Sequence, residues 1–369
     1  MEKRKKLLFA AWSCHNKRYY AYQTWDSPLR RIFKEVVTFD PQEETYNSGK
    51  DAMNNRFIEL VSKEKPDYVF LWLIYDEFYL NTLIRIKEVS PKTRIINFFG
   101  DDDTLFEVYS KYLSLFVNYA IVSHKKYLPH YKKDGLNNTF FSCGVNTEIF
   151  HPIKVEKRYD VTFIGTPKKD RYEYIKFLLN NGIKVNVFGA GWEQYLDLRE
   201  IYGGKLSQED SVKTIAESKI NLSFSKNYEG NPSFKARVFE TCACKSFLLS
   251  EYFDGYLEFL KEKKEIVMFK TREELLKDVR FYLNNEGRRE RIAEEAYRKV
   301  IGNYAIEKEL RNIFNSIEKT KMLEIRILPE IKIASINNQD LKRGIEHSKK
   351  KIGSARYITF ETRYAKNLP

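Results

Sequence analysis

Short, continuous runs of apolar residues alternate with helical patterns along most of the chain, and this alternation limits the folds that the chain can adopt. A strand that is apolar on both faces is typical of a parallel sheet covered by helices. The sequence therefore predicts an α/β fold with doubly wound parallel sheets. In the first half, the predicted strands are residues 7–12, 68–74, 94–99, 119–123 and 139–141.

The alternation stops once and then resumes. A polar stretch with Pro152, at residues 150–159, predicts a linker between two Rossmann-like lobes, residues 1–155 and 156–319. Residues 320–369 do not continue the pattern and are assigned to a small C-terminal extension of unknown role. Because ligands bind at the carboxyl ends of the strands in open α/β sheets, two such lobes predict a cleft lined by those loops.

The net charge indicates which kinds of molecule the protein would bind, and the cysteine content indicates the redox state of its compartment. The net charge of +13 favours anionic partners such as nucleotide phosphates, acidic lipid surfaces or nucleic acid, without choosing among them. The four cysteines lack the spacing of a zinc knuckle, and they favour a reducing compartment. The longest apolar runs are too short to span a membrane. We therefore expect a cytoplasmic protein whose contact with the inner face of an anionic membrane would be peripheral.

The segment 231–244 predicts the helix that carries the chemistry. Asn231 or Ser233 would cap it, and Ser233, Arg237 and Glu240 would then share one face. The helix N-terminus and Arg237 suit a diphosphate, and Glu240 suits two vicinal hydroxyl groups of a ribose. A plain amphipathic helix with a surface Arg–Glu pair is the alternative, and the residues by themselves leave both interpretations open.

Further candidates for donor binding follow the predicted strands of the second half. A lysine-rich loop either holds phosphate or is simply solvated, and Trp192 either stacks near a base or fills the lobe. Lys235 would add positive charge at the start of the helix. The loop candidates are Gly165, Thr166, Arg171, Gly189 and Trp192.

Two features of the first half are candidates for catalysis. His15 follows the first strand and would act as an acid/base or bind a sugar hydroxyl, although a single histidine is more often structural. Asp101–Asp103 follow the third strand, and three interpretations are open for Asp102 and Asp103: a helix cap, an acceptor-binding or general-base carboxylate, and a metal site. The metal interpretation ranks last, because it requires the donor in the first lobe, whereas Arg237 and Glu240 favour the second.

One motif is similar to a known family. Arg237, Phe239, Glu240, Ala243, Cys244, Leu248 and Leu249 match the pattern R-x-F-E-x-x-A-C-x-x-x-L-L. It resembles the second-lobe motif of GT-B glycosyltransferases of the spore-maturation-protein-B-like branch. The resemblance extends from about residue 160 to residue 317 and is looser in the first half. It implies a nucleotide-sugar donor, such as a UDP-sugar, on the second lobe and an acceptor on the first.

The resemblance also implies an activity. That activity is hexosyl transfer to a glycan, lipid-linked or protein acceptor in polysaccharide biosynthesis. The candidate catalytic residues, chosen for their positions in the sequence, are His15, Asp102, Asp103 and Arg237. No cofactor or metal is expected. Related family-4-type enzymes retain the anomeric configuration and carry two glutamates eight positions apart; Glu240 matches the second, and Pro232 stands in place of the first. The alternatives are a nucleic-acid-modifying glycosyltransferase and a catalytically degenerate nucleotide- or sugar-binding protein.

Overall fold

The computed structural model describes residues 5–14, 21–73, 77–227, 230–323 and 325. The chain divides into two compact units, one of residues up to Ser142 together with those from Leu310 on, and one of Cys143–Glu309. This division falls earlier than the predicted boundary at 155/156. His15 and the elements predicted within 326–369 lie outside the described residues.

The first unit is built on a six-stranded parallel sheet with the order β2-β1-β3-β4-β5-β6. The predicted strands omit β2, whose first residue is exposed and whose middle residues are only partly buried. An edge strand that is covered unevenly lacks the continuous apolar run on which the prediction relied. The strands are β1 (Lys6–Ala11), β2 (Glu35–Phe39), β3 (Tyr68–Trp72), β4 (Arg94–Phe99), β5 (Tyr119–Val122) and β6 (Thr139–Phe141).

Helices cover this sheet, and the helix Lys50–Glu64 (α3) shows why they form. Met53, Phe57 and Val61 recur at four-residue spacing on α3, and all three are fully buried in the core beside β1 and β3. The helices are α1 (Ser27–Ile32), α2 (Pro41–Ser48), α3 (Lys50–Glu64), α4 (Leu80–Val89), α5 (Asp102–Leu105), α6 (Lys111–Leu113) and α7 (Leu128–Lys133). Wider π-helical turns occupy Tyr22–Asp26 and Phe106–Ser110.

The second unit has a five-stranded parallel sheet with the order β11-β10-β9-β7-β8. Its strands are β7 (Tyr159–Ile164), β8 (Val185–Phe188), β9 (Ser218–Ser223), β10 (Leu248–Glu251) and β11 (Val267–Phe269). Its helices are α8 (Lys169–Asn180), α9 (Gln208–Glu217), α10 (Ala236–Ala243), α11 (Arg272–Leu283) and α12 (Glu286–Asn303). A last helix, α13 (Ile306–Lys319), begins in this unit and continues into the first.

Local side-chain chemistry sets several of these helix boundaries. Ser207 accepts a hydrogen bond from the backbone N–H of Asp210 at the start of α9, and Thr271 accepts one from Glu274 at the start of α11. Each bond satisfies a donor that the first turn of a helix leaves unpaired. No described helix is long and apolar enough to cross a lipid bilayer.

The strand order gives each sheet one topological switch point. In the first sheet, β2 lies on one side of β1 and all later strands lie on the other, so the switch point is between β1 and β3. In the second sheet, β8 lies on one side of β7 and all later strands lie on the other, so the switch point is between β7 and β9. At such a point the loops leave the sheet toward opposite faces, and a crevice opens beyond the carboxyl ends of the strands. The fold therefore places the residues after β7 and β9 where a ligand would bind. The predicted cleft between the two lobes stays a prediction.

Candidate functional site

The switch point of the second sheet brings together two loops that are distant in the sequence. Gly165 and Thr166 follow β7, and Ser225 and Lys226 follow β9. The Nζ atom of Lys168 donates a hydrogen bond to the backbone carbonyl of Lys226 at 2.9 Å, which joins the two loops. The predicted donor-binding residues Gly165 and Thr166 thus lie at the edge of the sheet where the topology favours a ligand.

Gly189 and Trp192, in the turn after β8, support the loop that follows β7. Gly189 has a φ angle of +121°, and a Cβ atom at that position would lie 2.6 Å from the carbonyl oxygen of Gly165. The indole N–H of Trp192 donates to the same carbonyl oxygen at 2.7 Å, and its side chain is fully buried. Of the two interpretations of Trp192, the structure shows the one in which it fills the lobe.

Arg171 also supports this loop. Its guanidinium is buried, donates from Nη1 to the carbonyl oxygen of Thr166 at 2.8 Å, and lies 5.4 Å from the centre of the Phe163 ring. A buried arginine that holds a main-chain oxygen fixes the shape of the loop. The structure therefore places Arg171 beneath the loop, and a direct contact with a donor stays a prediction.

Helix α10 begins later than predicted, at Ala236, with Lys235 at the N-cap position. The backbone N–H of Ser233 donates to the carbonyl of Ser225 at 2.9 Å, and Lys226 and Pro232 form an antiparallel bridge. This pairing keeps the chain extended through Ser233. Two predictions are therefore wrong, that Asn231 or Ser233 caps the helix and that Ser233 shares a helix face with Arg237 and Glu240, because Ser233 lies outside the helix and pairs with the segment after β9.

The predicted side-by-side placement of Arg237 and Glu240 is confirmed. Both lie in the first two turns of α10, with Nη1 of Arg237 at 3.1 Å from Oε2 of Glu240. Glu240 is buried, and Arg237 is partly exposed. No side chain caps the start of α10, where the Nζ of Lys235 bonds the hydroxyl of Ser233. An uncapped helix start beside an arginine and a lysine attracts an anion, and Glu240 adds a fixed acceptor of hydrogen bonds.

The sequence-based predictions missed a buried carboxylate at the same edge. Glu251 is the last residue of β10, and its Oε2 accepts hydrogen bonds from the backbone N–H and the hydroxyl of Ser225, at 3.0 and 3.2 Å. Its Oε1 lies 2.9 Å from the Nζ of Lys226. This hydrogen bond raises the pKa of the Lys226 ammonium above its ordinary value. A glutamate directly after the apolar run that predicts the strand is the signal that would have found it.

The two predicted catalytic aspartates of the first unit, Asp102 and Asp103, have surroundings that differ from each other. Asp102 is buried and accepts hydrogen bonds from the hydroxyl of Tyr131, at 3.0 Å to Oδ1 and 3.1 Å to Oδ2. Burial raises its pKa to about 7, because a carboxylate is poorly solvated there. Asp103 forms an ion pair with Lys126 at 2.5 Å, and its Oδ2 lies 3.3 Å from Nε2 of His124.

These contacts bear on the three interpretations of the aspartates. The N-cap position of α5 is occupied by Asp101, but its side chain makes no capping hydrogen bond. Within the part of the chain that the structure describes, no group of three or more His, Cys, Asp or Glu residues is arranged to hold a metal ion. Asp102 and Asp103 are each engaged with neighbouring side chains of their own unit, and a contact with an acceptor stays a prediction.

Comparison with known proteins relates this geometry to a family and a fold. A family model described as "Glycosyl transferase-like" matches residues 171–315, which include α10 and β10. No match is found among curated protein sequences. The structure of HepE from Anabaena, solved in complex with UDP and glucose, is 10% identical, covers 86% of this chain and 100% of its own, and has a TM-score of 0.60.

Two other solved structures show the same likeness. Sucrose-phosphate synthase from Thermosynechococcus elongatus is 10% identical, covers 86% of this chain and 100% of its own, and has a TM-score of 0.60. A glycosyltransferase from Rickettsia africae is 11% identical, covers 86% of this chain and 98% of its own, and has a TM-score of 0.59. With its two parallel sheets and flanking helices, the chain has the GT-B fold of glycosyltransferases.

Proposed function

We propose that this chain is a glycosyltransferase whose nucleotide-sugar donor binds at the β7/β9 switch point of the second unit. The observation that carries the proposal is the Arg237–Glu240 pair, held in the first two turns of an uncapped helix beside that switch point. The family model that matches 171–315 includes this helix, and HepE, which has the same fold, was solved in complex with UDP and glucose and in complex with UDP-glucose. These findings support a nucleotide sugar as the donor.

Each part of the site has a role in this proposal. The diphosphate lies at the start of α10, where Lys235 and Arg237 offset its charge. Glu240 accepts hydrogen bonds from the ribose hydroxyls. During transfer, the bond between the sugar and the diphosphate breaks, a bond to an acceptor oxygen forms, and the acceptor releases its proton. Stabilising the departing diphosphate lowers the barrier, and side chains that supply this charge make a metal ion unnecessary.

Finer aspects of the function remain part of the proposal. Four finer assignments stay predictions. They are that the donor is a UDP-linked hexose, that the anomeric configuration is retained, that a glycan, lipid-linked or protein acceptor binds to the first unit, and that the chain belongs to the spore-maturation-protein-B-like branch. Retention rests on Glu240 alone, because Pro232 occupies the place of the other family glutamate. A cytoplasmic location, with contact to an anionic membrane, is likewise a prediction from composition. A nucleic-acid acceptor is the alternative that the net charge of +13 leaves open.

The test begins with the donor. The purified full-length protein is screened by thermal shift with UDP-, GDP-, ADP- and CMP-sugars, and the stabilising donor is titrated by calorimetry. Glu240→Ala should then weaken donor binding by about tenfold or more, because the ribose loses hydrogen bonds to a charged acceptor. Release of free nucleotide distinguishes an active transferase from a degenerate binding protein.

A matched control separates this role from a general loss of helix stability. Glu217, the last residue of α9, is buried like Glu240, and its Oε1 lies 3.5 Å from Nη1 of Arg158, so Glu217→Ala removes a comparable arginine–glutamate pair elsewhere in the same unit. We expect this control to bind the donor like the wild type. Unchanged donor affinity in Glu240→Ala, with an unchanged melting temperature, would remove Glu240 from the site.

A further inference from the structure

We infer that Lys226 binds the diphosphate of the donor and that Glu251 is the residue that positions it. The inference rests on the proposed function, because it assigns two more residues to the same site. Neither residue belongs to the set expected from the sequence. The contacts of Glu251, the exposure of Lys226 and the charge of the surrounding loops carry the argument.

Glu251 is built into the sheet and holds its position firmly. Only 5% of its side chain is exposed, and its Oε2 accepts two hydrogen bonds from Ser225. A buried carboxylate is costly unless it is paired and hydrogen-bonded, and here Lys226 supplies the opposite charge at 2.9 Å from Oε1. The pair therefore fixes the direction of the Lys226 side chain at the carboxyl edge of the sheet.

Lys226 keeps part of its charge accessible. Its side chain is 36% exposed, and its ammonium contacts Glu251. An ammonium group has three N–H donors, and a single carboxylate oxygen occupies one of them. The remaining donors are available to a phosphate that approaches the β7/β9 switch point from solvent.

The two residues that Glu251 contacts, Ser225 and Lys226, also connect the other parts of the proposed phosphate-binding surface. The carbonyl of Lys226 accepts the hydrogen bond from Lys168, and the carbonyl of Ser225 accepts the one from Ser233, two residues before Lys235. The loops after β7 and β9 and the approach to α10 thus meet around Glu251. Cations outnumber carboxylates among the residues that the two proposals assign to this site, namely Lys226, Lys235 and Arg237 against Glu240 and Glu251.

A phosphate-specific comparison tests the role of Lys226. UDP, GDP, ADP and CDP are titrated into the wild-type protein by calorimetry, and the tightest binder is compared with its own nucleoside. Lys226→Met keeps the aliphatic stem and removes the charge. We expect about tenfold weaker binding of the nucleoside diphosphate and unchanged binding of the nucleoside, because only the former carries the group that Lys226 contacts.

The opposite edge of the same sheet provides a matched control. Lys219, at the start of β9, pairs with Asp160, at the start of β7, with 2.7 Å between Nζ and Oδ1. Lys219→Met removes an equivalent lysine–carboxylate pair at the amino ends of the strands. It should leave the affinity for the nucleoside diphosphate unchanged, which would exclude a general effect of net charge.

A double-mutant cycle tests the positioning role of Glu251. Glu251→Gln keeps an oxygen that accepts from Ser225 and removes the charge that orients Lys226. We expect it to weaken binding of the nucleoside diphosphate about fivefold in the wild-type background and to have no further effect in Lys226→Met, because it acts through that lysine. A purely structural glutamate would weaken binding equally in both backgrounds.

The outcomes separate the two proposals. If the wild-type protein binds none of the four nucleoside diphosphates, the proposed function fails and this inference fails with it. If the wild type binds one of them and Lys226→Met binds it equally well, only the inference is overturned. Equal effects of Glu251→Gln in both backgrounds would overturn the positioning role and leave the contact of Lys226 in place.

Discussion

At the scale of single residues, Asp102 couples the stability of the first unit to pH. Its pKa is about 7 in the folded protein, against about 4 for an aspartate in an unfolded chain. Between these two values the folded state holds a proton that the unfolded state has released. The free energy of unfolding therefore falls as the pH rises from about 4 to about 7. Above about pH 7 Asp102 is ionised in both states and causes no further loss of stability.

Asp102→Asn should remove this dependence. The asparagine carbonyl still accepts the hydrogen bond from Tyr131, and no charge is buried at high pH. Relative to the wild type, we expect the variant to gain about 2–3 kcal/mol of stability between pH 5 and pH 8, out of about 4 kcal/mol over the full range from below pH 4 to above pH 7. Urea unfolding at both pH values measures the difference. Asp101→Asn, at the exposed neighbour, is the control, and an unchanged pH slope in Asp102→Asn would contradict the assignment.

At the scale of elements, the turn after β8 depends on the absence of a side chain at Gly189. Gly189→Ala would bring a Cβ atom to 2.6 Å from the carbonyl oxygen of Gly165, at a backbone angle that residues with a Cβ rarely adopt. Because the neighbour is main chain, it has little room to move. We expect a loss of about 2–4 kcal/mol and a clear fall in melting temperature.

Gly182→Ala provides the comparison for this turn. Gly182 has a φ of +78°, but nothing lies within 4 Å of an added Cβ, so that only the backbone strain of about 1 kcal/mol applies. The two melting temperatures, measured side by side, separate strain from collision. Equal shifts in the two variants would mean that the contact with Gly165 has no cost of its own.

At the scale of the whole molecule, the chain returns to its first unit after completing the second. Phe314, in the second half of α13, is fully buried, and its ring centre lies 4.7 Å from that of Phe33 and 5.1 Å from that of Tyr68. Phe314→Ala should cost about 3–5 kcal/mol, because it removes a large side chain from a packed core. Urea unfolding tests this, with Phe281→Ala, a half-exposed phenylalanine of α11, as the control. Similar losses in both variants would contradict this role.

The sequence by itself determined the features that depend on neighbours along the chain. Apolar runs of strand length predicted two parallel sheets, because a strand buried on both faces must be apolar throughout. The three-residue spacing of Arg237 and Glu240 predicted their shared face, since helix geometry alone brings such residues together. Fold class and the central pair of the candidate site were therefore accessible without coordinates.

Only the tertiary structure decided the features that depend on contacts between distant segments. The start of α10 moved to Ala236 because the N–H of Ser233 pairs with Ser225. Glu251 joined the candidate site because β10 lies next to β9, and the last helix returned to the first unit because Phe314 packs against its aromatic core. Hydrogen bonding and packing between remote residues are set by the register of the whole fold, and local patterns do not encode that register.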